Sequence, residues 1–257
     1  MRHIISLLIL SLAAAAGLLA SGRSPVRLHH VKPPVCDAFA VDTDSVYIHN
    51  PLTDALKDSA DTVAPAILRL TEEDFREVAE RLGVEEAAIK AVVDIEAGRS
   101  HEGFYQPGKP LVNFDLTMFR RFAQRRGVNL TKYSKSHAAV FASHRGSQKR
   151  AWQRLESAKT INKNAAIEGT FWGMFQIGGF NWKKCGTESI DDFVERMSRS
   201  ERDQLDLFAE FITRSGLVRH LRDKNWAAFA RGYNGPSYAS RGYHTRMASS
   251  YARHLGD

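Results

Sequence analysis

The sequence has few cysteines and lacks the common metal, nucleotide and serine-hydrolase motifs. Its 257 residues include only Cys36 and Cys185, and its ten histidines are scattered. His-Glu-x-x-His, Cys-x-x-Cys, Gly-x-Ser-x-Gly and a phosphate-binding glycine loop are all absent, which sets aside the chemistries that depend on them. No metal ligands are predicted. The two cysteines are predicted either to form one disulfide in an exported chain or to remain free thiols.

The chain also lacks a nucleic-acid-binding motif, although it is basic. Its formal net charge is +7, which favours anionic partners such as cell-wall polymers or lipid headgroups. The basic run "HRGSQKR" at 144–150 has neither a binding motif nor interleaved aromatic residues. We therefore predict no nucleic-acid partner.

Long apolar runs are confined to the N-terminus. Arg2 precedes an uncharged apolar stretch at residues 4–20, and small residues follow it. This pattern predicts a signal peptide over residues 1–22 and an exported protein, in the periplasm, cell envelope or medium. The alternative is an uncleaved membrane anchor, with residues 4–20 serving as a tether.

The rest of the chain divides into an irregular arm and a helical domain. Residues 23–66 contain prolines and no sustained period, so they are predicted to be a linker. Residues 67–257 predict a mainly α, α+β domain with one small β-hairpin at about 103–114, around Pro107-Gly108. A capping-box-like Thr71 and Asp74 begin the first helix. Further helices are predicted at 84–97, 115–127, 149–168, 190–198, 200–214, 225–232 and 242–254, with a loop at 129–148.

The second helix ends with an acid on its apolar side. In "AIKAVVDIEAGRS" (88–100), Ile89 and Glu96 lie within about 20° of one another around the helix axis, whereas Asp94 points about 200° away from Glu96. Burial and the negative end of the helix dipole should both raise the pKa of Glu96. A carboxyl that keeps its proton near neutral pH suits general-acid chemistry. The alternative is a structural acid that reaches solvent or bonds a buried backbone group.

Two later stretches combine glycine with aromatic or amide residues. "AAIEGTFWGMFQIGGFN" (165–181) offers Trp172, Phe175 and Phe180 for stacking on sugars and Gln176 for hydrogen bonds. The alternative is a buried aromatic core turn. "FARGYNGPSY" places Tyr233 and Asn234 at a sharp turn, for which ordinary helix capping is the alternative.

Together these stretches resemble the N-acetylmuramidase domain family of phage endolysins and bacterial cell-wall hydrolases, within the lysozyme-like superfamily. The resemblance covers about residues 70–255, and its order is "DIEAG", the hairpin, "WGMFQI" and "YNGP". It implies that Glu96 is the catalytic glutamate, that Gln176, Tyr233 and Asn234 line the sugar cleft, and that neither metal nor organic cofactor is needed.

The sequence departs from the family after the hairpin, where Phe114-Asp115 replaces the expected Phe-Glu. Asp115 is retained as a candidate substrate contact, and its shorter side chain puts a direct chemical role in doubt. Glu168 is the first candidate for a second catalytic carboxylate, ahead of Asp115 and Glu102. Trp172 and Phe175 are retained as candidate sugar contacts.

The resemblance implies a glycosidase that binds peptidoglycan glycan strands, and the protein is predicted to be a monomer. The predicted reaction is hydrolysis of the β-1,4 bond between N-acetylmuramic acid and N-acetylglucosamine. One alternative is a lytic transglycosylase, in which the muramic C6 hydroxyl attacks and a 1,6-anhydro end forms. Another is a peptidoglycan-binding protein without catalysis.

Overall fold

The computed structural model describes residues 67–97, 102–142 and 146–256. The predicted signal or anchor, the arm and Cys36 lie outside these ranges. Cys185 is a buried free thiol. Within the described ranges, no helix is long and apolar enough to cross a membrane.

The described residues are mostly helical, as predicted. The helices are α1 (Glu72–Leu82), α2 (Glu86–Glu96), α3 (Leu116–Arg125), α4 (Ala138–Phe141), α5 (Gln148–Glu168), α6 (Ile190–Arg199), α7 (Glu201–Arg214), α8 (Val218–Arg222), α9 (Trp226–Asn234) and α10 (Tyr243–His254). Short 3₁₀ turns occupy Leu130–Tyr133, Gly179–Cys185 and Pro236–Tyr238. The strands are β1 (Phe104–Gln106), β2 (Lys109–Pro110), β3 (Val112–Phe114), β4 (Thr170–Trp172) and β5 (Ile177–Gly178).

Side-chain caps fix the starts of several helices. At α1, the Thr71 hydroxyl accepts from Asp74 N and the Asp74 carboxylate accepts from Thr71 N, which completes the predicted capping box. The region predicted as one helix at 149–168 is interrupted, because Asn162 has non-helical backbone angles. Its side-chain oxygen accepts from Ala165 N at 2.9 Å and so restarts the helix. The predicted loop at 129–148 contains α4 and a 3₁₀ turn.

The predicted hairpin is only partly correct. β1 and β2 pair antiparallel around Gly108, whose positive φ of 71° suits the turn. β3 leaves this hairpin and pairs antiparallel with β4, which also pairs with β5. The second sheet was not predicted, because strands of two or three residues are too short to show a period of two.

Helix α10 packs along α2, and the two share a continuous buried surface. Residues 243, 247, 250 and 254 of α10 recur at the spacing of one helix face, and Tyr243, Met247 and Ser250 are buried. On α2 the inward face carries Ile89, Val92 and Val93, all fully buried. This packing encloses the last turn of α2.

Candidate active site

Glu96 is the last residue of α2 and is buried with the apolar face of that helix, only 1% exposed. Its Oε1 accepts a hydrogen bond from Asn234 Nδ2 at 3.0 Å. Within the described structure, Oε2 has no hydrogen-bond partner. The inward position predicted from helical spacing is therefore confirmed, and the solvent-exposed alternative is wrong.

Burial raises the pKa of Glu96 from 4.5 to about 7. The hydrogen bond from Asn234 and the positive charge of Arg246 act in the opposite direction, because both favour the carboxylate. Since Oε1 already accepts from Asn234, the carboxyl proton belongs on Oε2. The group can therefore carry an acid proton at neutral pH on its unpartnered oxygen.

Asn234 reaches Glu96 from the C-terminal end of α9. Gly235 follows with a φ of 78°, and Pro236 begins a 3₁₀ turn, so the helix stops at the amide. Asn234 is 1% exposed, and its Oδ1 is a second buried acceptor without a partner in the described ranges. The alternative of ordinary helix capping does not describe this side chain, whose Nδ2 bonds the acid.

Tyr233, beside Asn234, connects α9 to the turn between β4 and β5. Its hydroxyl donates to Phe175 O at 2.8 Å, and its ring stacks on Phe229. Burial, and then the field of Glu96, raise its pKa well above 10.0, so the phenol stays protonated. Tyr233 thereby fixes the position of the residue that holds Glu96.

Gln176 shapes the same turn through an uncommon backbone conformation. Its φ is 47°, in the left-handed region, and its Nε2 donates to Gly173 O at 2.8 Å. Left-handed conformations in residues other than glycine are costly and persist where the surroundings enforce them. The buried amide therefore stabilises the turn in this structure.

Trp172 and Phe175 belong to the core, and each is 1% exposed. Phe175 stacks on Phe208 with centroids 4.4 Å apart, and Trp172 Nε1 donates to Ile167 O at 3.1 Å. Neither ring has a face open to a sugar. For these two rings the structure corrects the prediction of sugar stacking and supports the core-turn alternative.

Two of the three candidates for a second carboxylate have other partners, and the third is exposed. Arg126 Nη2 donates to Glu168 Oε1 at 2.9 Å, and Nη1 lies 2.9 Å from Oε2. Asp115 is the N-cap of α3 and accepts from Met118 N at 2.9 Å. Glu102 is exposed. In the part of the chain that the structure describes, no hydrogen bond joins any of them to Glu96.

The structure adds α10 to the site, which the sequence reading missed. Tyr243 is buried, and the field of Glu96 adds to burial in raising its pKa. The Arg246 guanidinium lies 5.2 Å from the Tyr243 ring centroid. The 4-3-4 spacing of residues 243, 247, 250 and 254 was the available signal that this helix has an inward face.

Comparisons with known proteins agree with this arrangement. The sequence profile of the family described as "Muramidase: N-acetylmuramidase" matches residues 85–255. The crystal structure of Burkholderia AP3 phage endolysin is similar, with 33% sequence identity and a TM-score of 0.65. The match covers 74% of this chain and 73% of that one. No curated protein sequence matches. The matched profile spans both Glu96 and Asn234, and the chain belongs to the N-acetylmuramidase family.

Proposed function

We propose that this protein cleaves the β-1,4 bond between N-acetylmuramic acid and N-acetylglucosamine in peptidoglycan, with Glu96 as the general acid. The carrying observation is the burial of Glu96, which raises its pKa to about 7. Membership of the N-acetylmuramidase family supports a glycosidase that acts on this substrate. The substrate lies outside the cytoplasm, so we also propose that residues 1–22 direct export.

In the proposed step, the substrate first displaces the groups that cover the buried Oε2. Glu96 then donates the Oε2 proton to the bridging oxygen as the bond to the sugar C1 breaks. The departing sugar leaves as an alcohol, and Glu96 becomes a carboxylate. Asn234 Nδ2, at 3.0 Å from Oε1, then donates to a charged acceptor, and such hydrogen bonds are stronger than neutral ones. Asn234 and Arg246 therefore stabilise the product state of the proton transfer.

The positive charge that develops on the sugar needs an attacking group. A second carboxylate about 5–5.5 Å from the first is typical of retention, and one about 6.5–9.5 Å away is typical of inversion with a bound water. Among the described residues, Arg246 is the only charged side chain whose field shifts the pKa of Glu96. We do not assign Glu168 or Asp115 to this role, because each has its own partner.

The single buried carboxyl of Glu96, with its pKa raised to about 7, also fits a lytic transglycosylase, which is the second candidate. In that reaction the same glutamate acts first as acid and then as base, and it deprotonates the muramic C6 hydroxyl, which attacks C1. A single buried carboxyl with a pKa near neutrality can serve both roles. The hydrolytic proposal differs only in the attacking group, which is water.

Mass spectrometry of the fragments released from purified sacculi tests the proposal. Hydrolysis gives reducing ends that have gained one water, whereas transglycosylation gives 1,6-anhydro ends. Glu96→Gln keeps the shape of the side chain and loses the acid proton, so fragment release should fall by at least about a thousandfold. Circular dichroism should show that the variant is folded.

Two results would contradict the proposal. A folded Glu96→Gln variant that releases fragments at the wild-type rate would exclude Glu96 as the acid. A wild-type protein that binds sacculi and releases nothing would favour the non-catalytic binding protein.

A further inference from the structure

A cavity lies between the β1–β2 hairpin and the first half of α5, and its volume is about 620 Å³. We call it the hairpin cavity. The hairpin contributes Tyr105, Gln106 and Lys109, and α5 contributes Lys149, Trp152, Gln153 and Glu156. The four α5 residues are spaced three, one and three apart, so they form one face of the helix. Glu96 and Asn234 are not among the lining residues.

The charges in this cavity favour an anionic ligand. Glu156 Oε1 accepts from Lys159 Nζ at 3.1 Å, so its negative charge is already paired. Lys109 and Lys149 are exposed, and neither has an ion pair within the described residues. Lys149 also lies in the first turn of α5, where the positive end of the helix dipole adds to its charge.

The uncharged lining favours a ligand that is partly apolar. Trp152 is half-buried and held in place, because its Nε1 donates to Pro110 O at 3.0 Å and its ring packs edge-on against Trp172. Tyr105 is 36% exposed. Gln106 and Gln153 supply amide donors and acceptors. A fixed tryptophan ring, an exposed tyrosine ring, two amides and two lysines without ion pairs in the described residues match a ligand with carboxylates on a short aliphatic backbone.

We propose that the hairpin cavity binds the carboxylate-bearing peptide stem of the peptidoglycan strand. This assignment rests on the proposed function, since it takes peptidoglycan as the substrate. Lys109 and Lys149 pair with stem carboxylates, and Tyr105 and Trp152 pack against the aliphatic part of the stem. The cavity volume lies within the usual range for ligand sites, about 300–1,000 Å³.

The test measures binding, so it does not depend on cleavage. Glu96→Gln is the parent protein. Its binding to intact sacculi is measured by sedimentation, and its binding to glycan strands from which an amidase has removed the stems is measured by pull-down on the immobilised strands. Lys109→Gln/Lys149→Gln is added to this parent. The control is Lys132→Gln/Lys135→Gln, which removes the same charge from two exposed lysines outside the cavity. Thermal unfolding verifies that every variant is folded.

The cavity variant should bind intact sacculi about three- to tenfold more weakly than the parent at low salt, as expected for two exposed ion pairs. High salt should reduce the difference. Binding to stripped glycan should equal that of the parent, and the control should bind both materials like the parent. Tyr105→Ala should also weaken binding to intact sacculi.

Two results would overturn this inference. Equal losses on intact and stripped material would assign the cavity to the glycan, and equal losses in the cavity and control variants would reduce the effect to net charge. Neither result bears on Glu96, whose role is tested by fragment release.

Discussion

Helix α2 carries two acids near its end, Asp94 and Glu96, and their surroundings differ. Asp94 Oδ2 accepts from the Ser250 hydroxyl, lies 2.9 Å from His254 Nε2 and lies 3.5 Å from Arg253 Nη2. Glu96 has one hydrogen bond from Asn234 and an unpartnered Oε2. A charged group with several partners contributes to structure, whereas a buried acid left half-satisfied is costly and is a candidate for chemistry.

The largest effect on stability should come from the titration of the Glu96 carboxyl. Below pH 4.5 both the folded and the unfolded chain hold its proton. As the pH rises to about 7, the unfolded chain loses the proton and the folded protein keeps it. The free energy of unfolding should therefore fall by about 3 kcal/mol across this window.

Glu96→Gln removes that dependence. The melting temperature of Glu96→Gln minus that of wild type should increase between pH 4.5 and pH 7. Calorimetry at several pH values measures this difference. Glu80→Gln, which removes an exposed carboxyl from α1, is the control. A difference between Glu96→Gln and wild type that stays constant with pH would contradict the assignment of a buried protonated acid.

Asn234→Ala should lower the rate of fragment release roughly 10- to 100-fold, because it removes a hydrogen bond to the developing carboxylate. That hydrogen bond lowers the pKa of Glu96, so its loss should move the alkaline limb of the pH–rate profile to higher pH. Asn225→Ala is the matched control, since Asn225 caps the other end of α9. If the pH–rate profile shifted equally in Asn234→Ala and Asn225→Ala, the role of Asn234 would be structural only.

Asp94→Asn should destabilise the protein by about 1–2 kcal/mol, because it removes the charge that joins α2 to α10. Its effect on cleavage should be much smaller than that of Glu96→Gln. Denaturant unfolding and fragment release measure the two quantities. Glu86→Gln, which breaks the partly buried i,i+4 pair with Lys90, should cost about 0.3–0.5 kcal/mol. If Asp94→Asn and Glu86→Gln lowered the free energy of unfolding by similar amounts, Asp94 would not differ from an acid outside the core.

Glu168→Gln should have a small effect, at most about 1 kcal/mol of stability, because its ion pair with Arg126 is partly exposed. Arg126→Gln should cost a similar amount if the pair is structural, and a double-mutant cycle measures their coupling. A loss of cleavage in Glu168→Gln that approaches that of Glu96→Gln, without a matching loss in Arg126→Gln, would make Glu168 the second carboxylate.

Local signals in the sequence were sufficient for most of the long helices and for the inward position of Glu96, but not for the short helices α4 and α8. The capping box at Thr71 and the stripe of Ile89, Val92 and Val93 each lie within one or two turns of helix. The partner of the acid was harder to predict, since Asn234 is 138 residues away. The resemblance placed Asn234 in the cleft but did not indicate its bond to Glu96.

The predictions for Trp172, Phe175 and Glu168 failed or stayed open for a different reason. Trp172 and Phe175 have residue types suited to sugar binding, and only the packing around them shows that their rings are enclosed. Glu168 is next to the aromatic segment in sequence, and its pairing with Arg126, 42 residues earlier, depends on the approach of α3 to the end of α5. Residue type and position in the chain do not determine which side chains become neighbours.

The distance along the chain between α2 and its partners has a consequence for biosynthesis. While the polypeptide is being made, Glu96 emerges from the ribosome long before α9 and α10, and it is then an ordinary hydrated carboxylate. Only after the last of these helices has docked does water leave the acid. The raised pKa of Glu96 therefore arises late in translation, once α9 and α10 are complete.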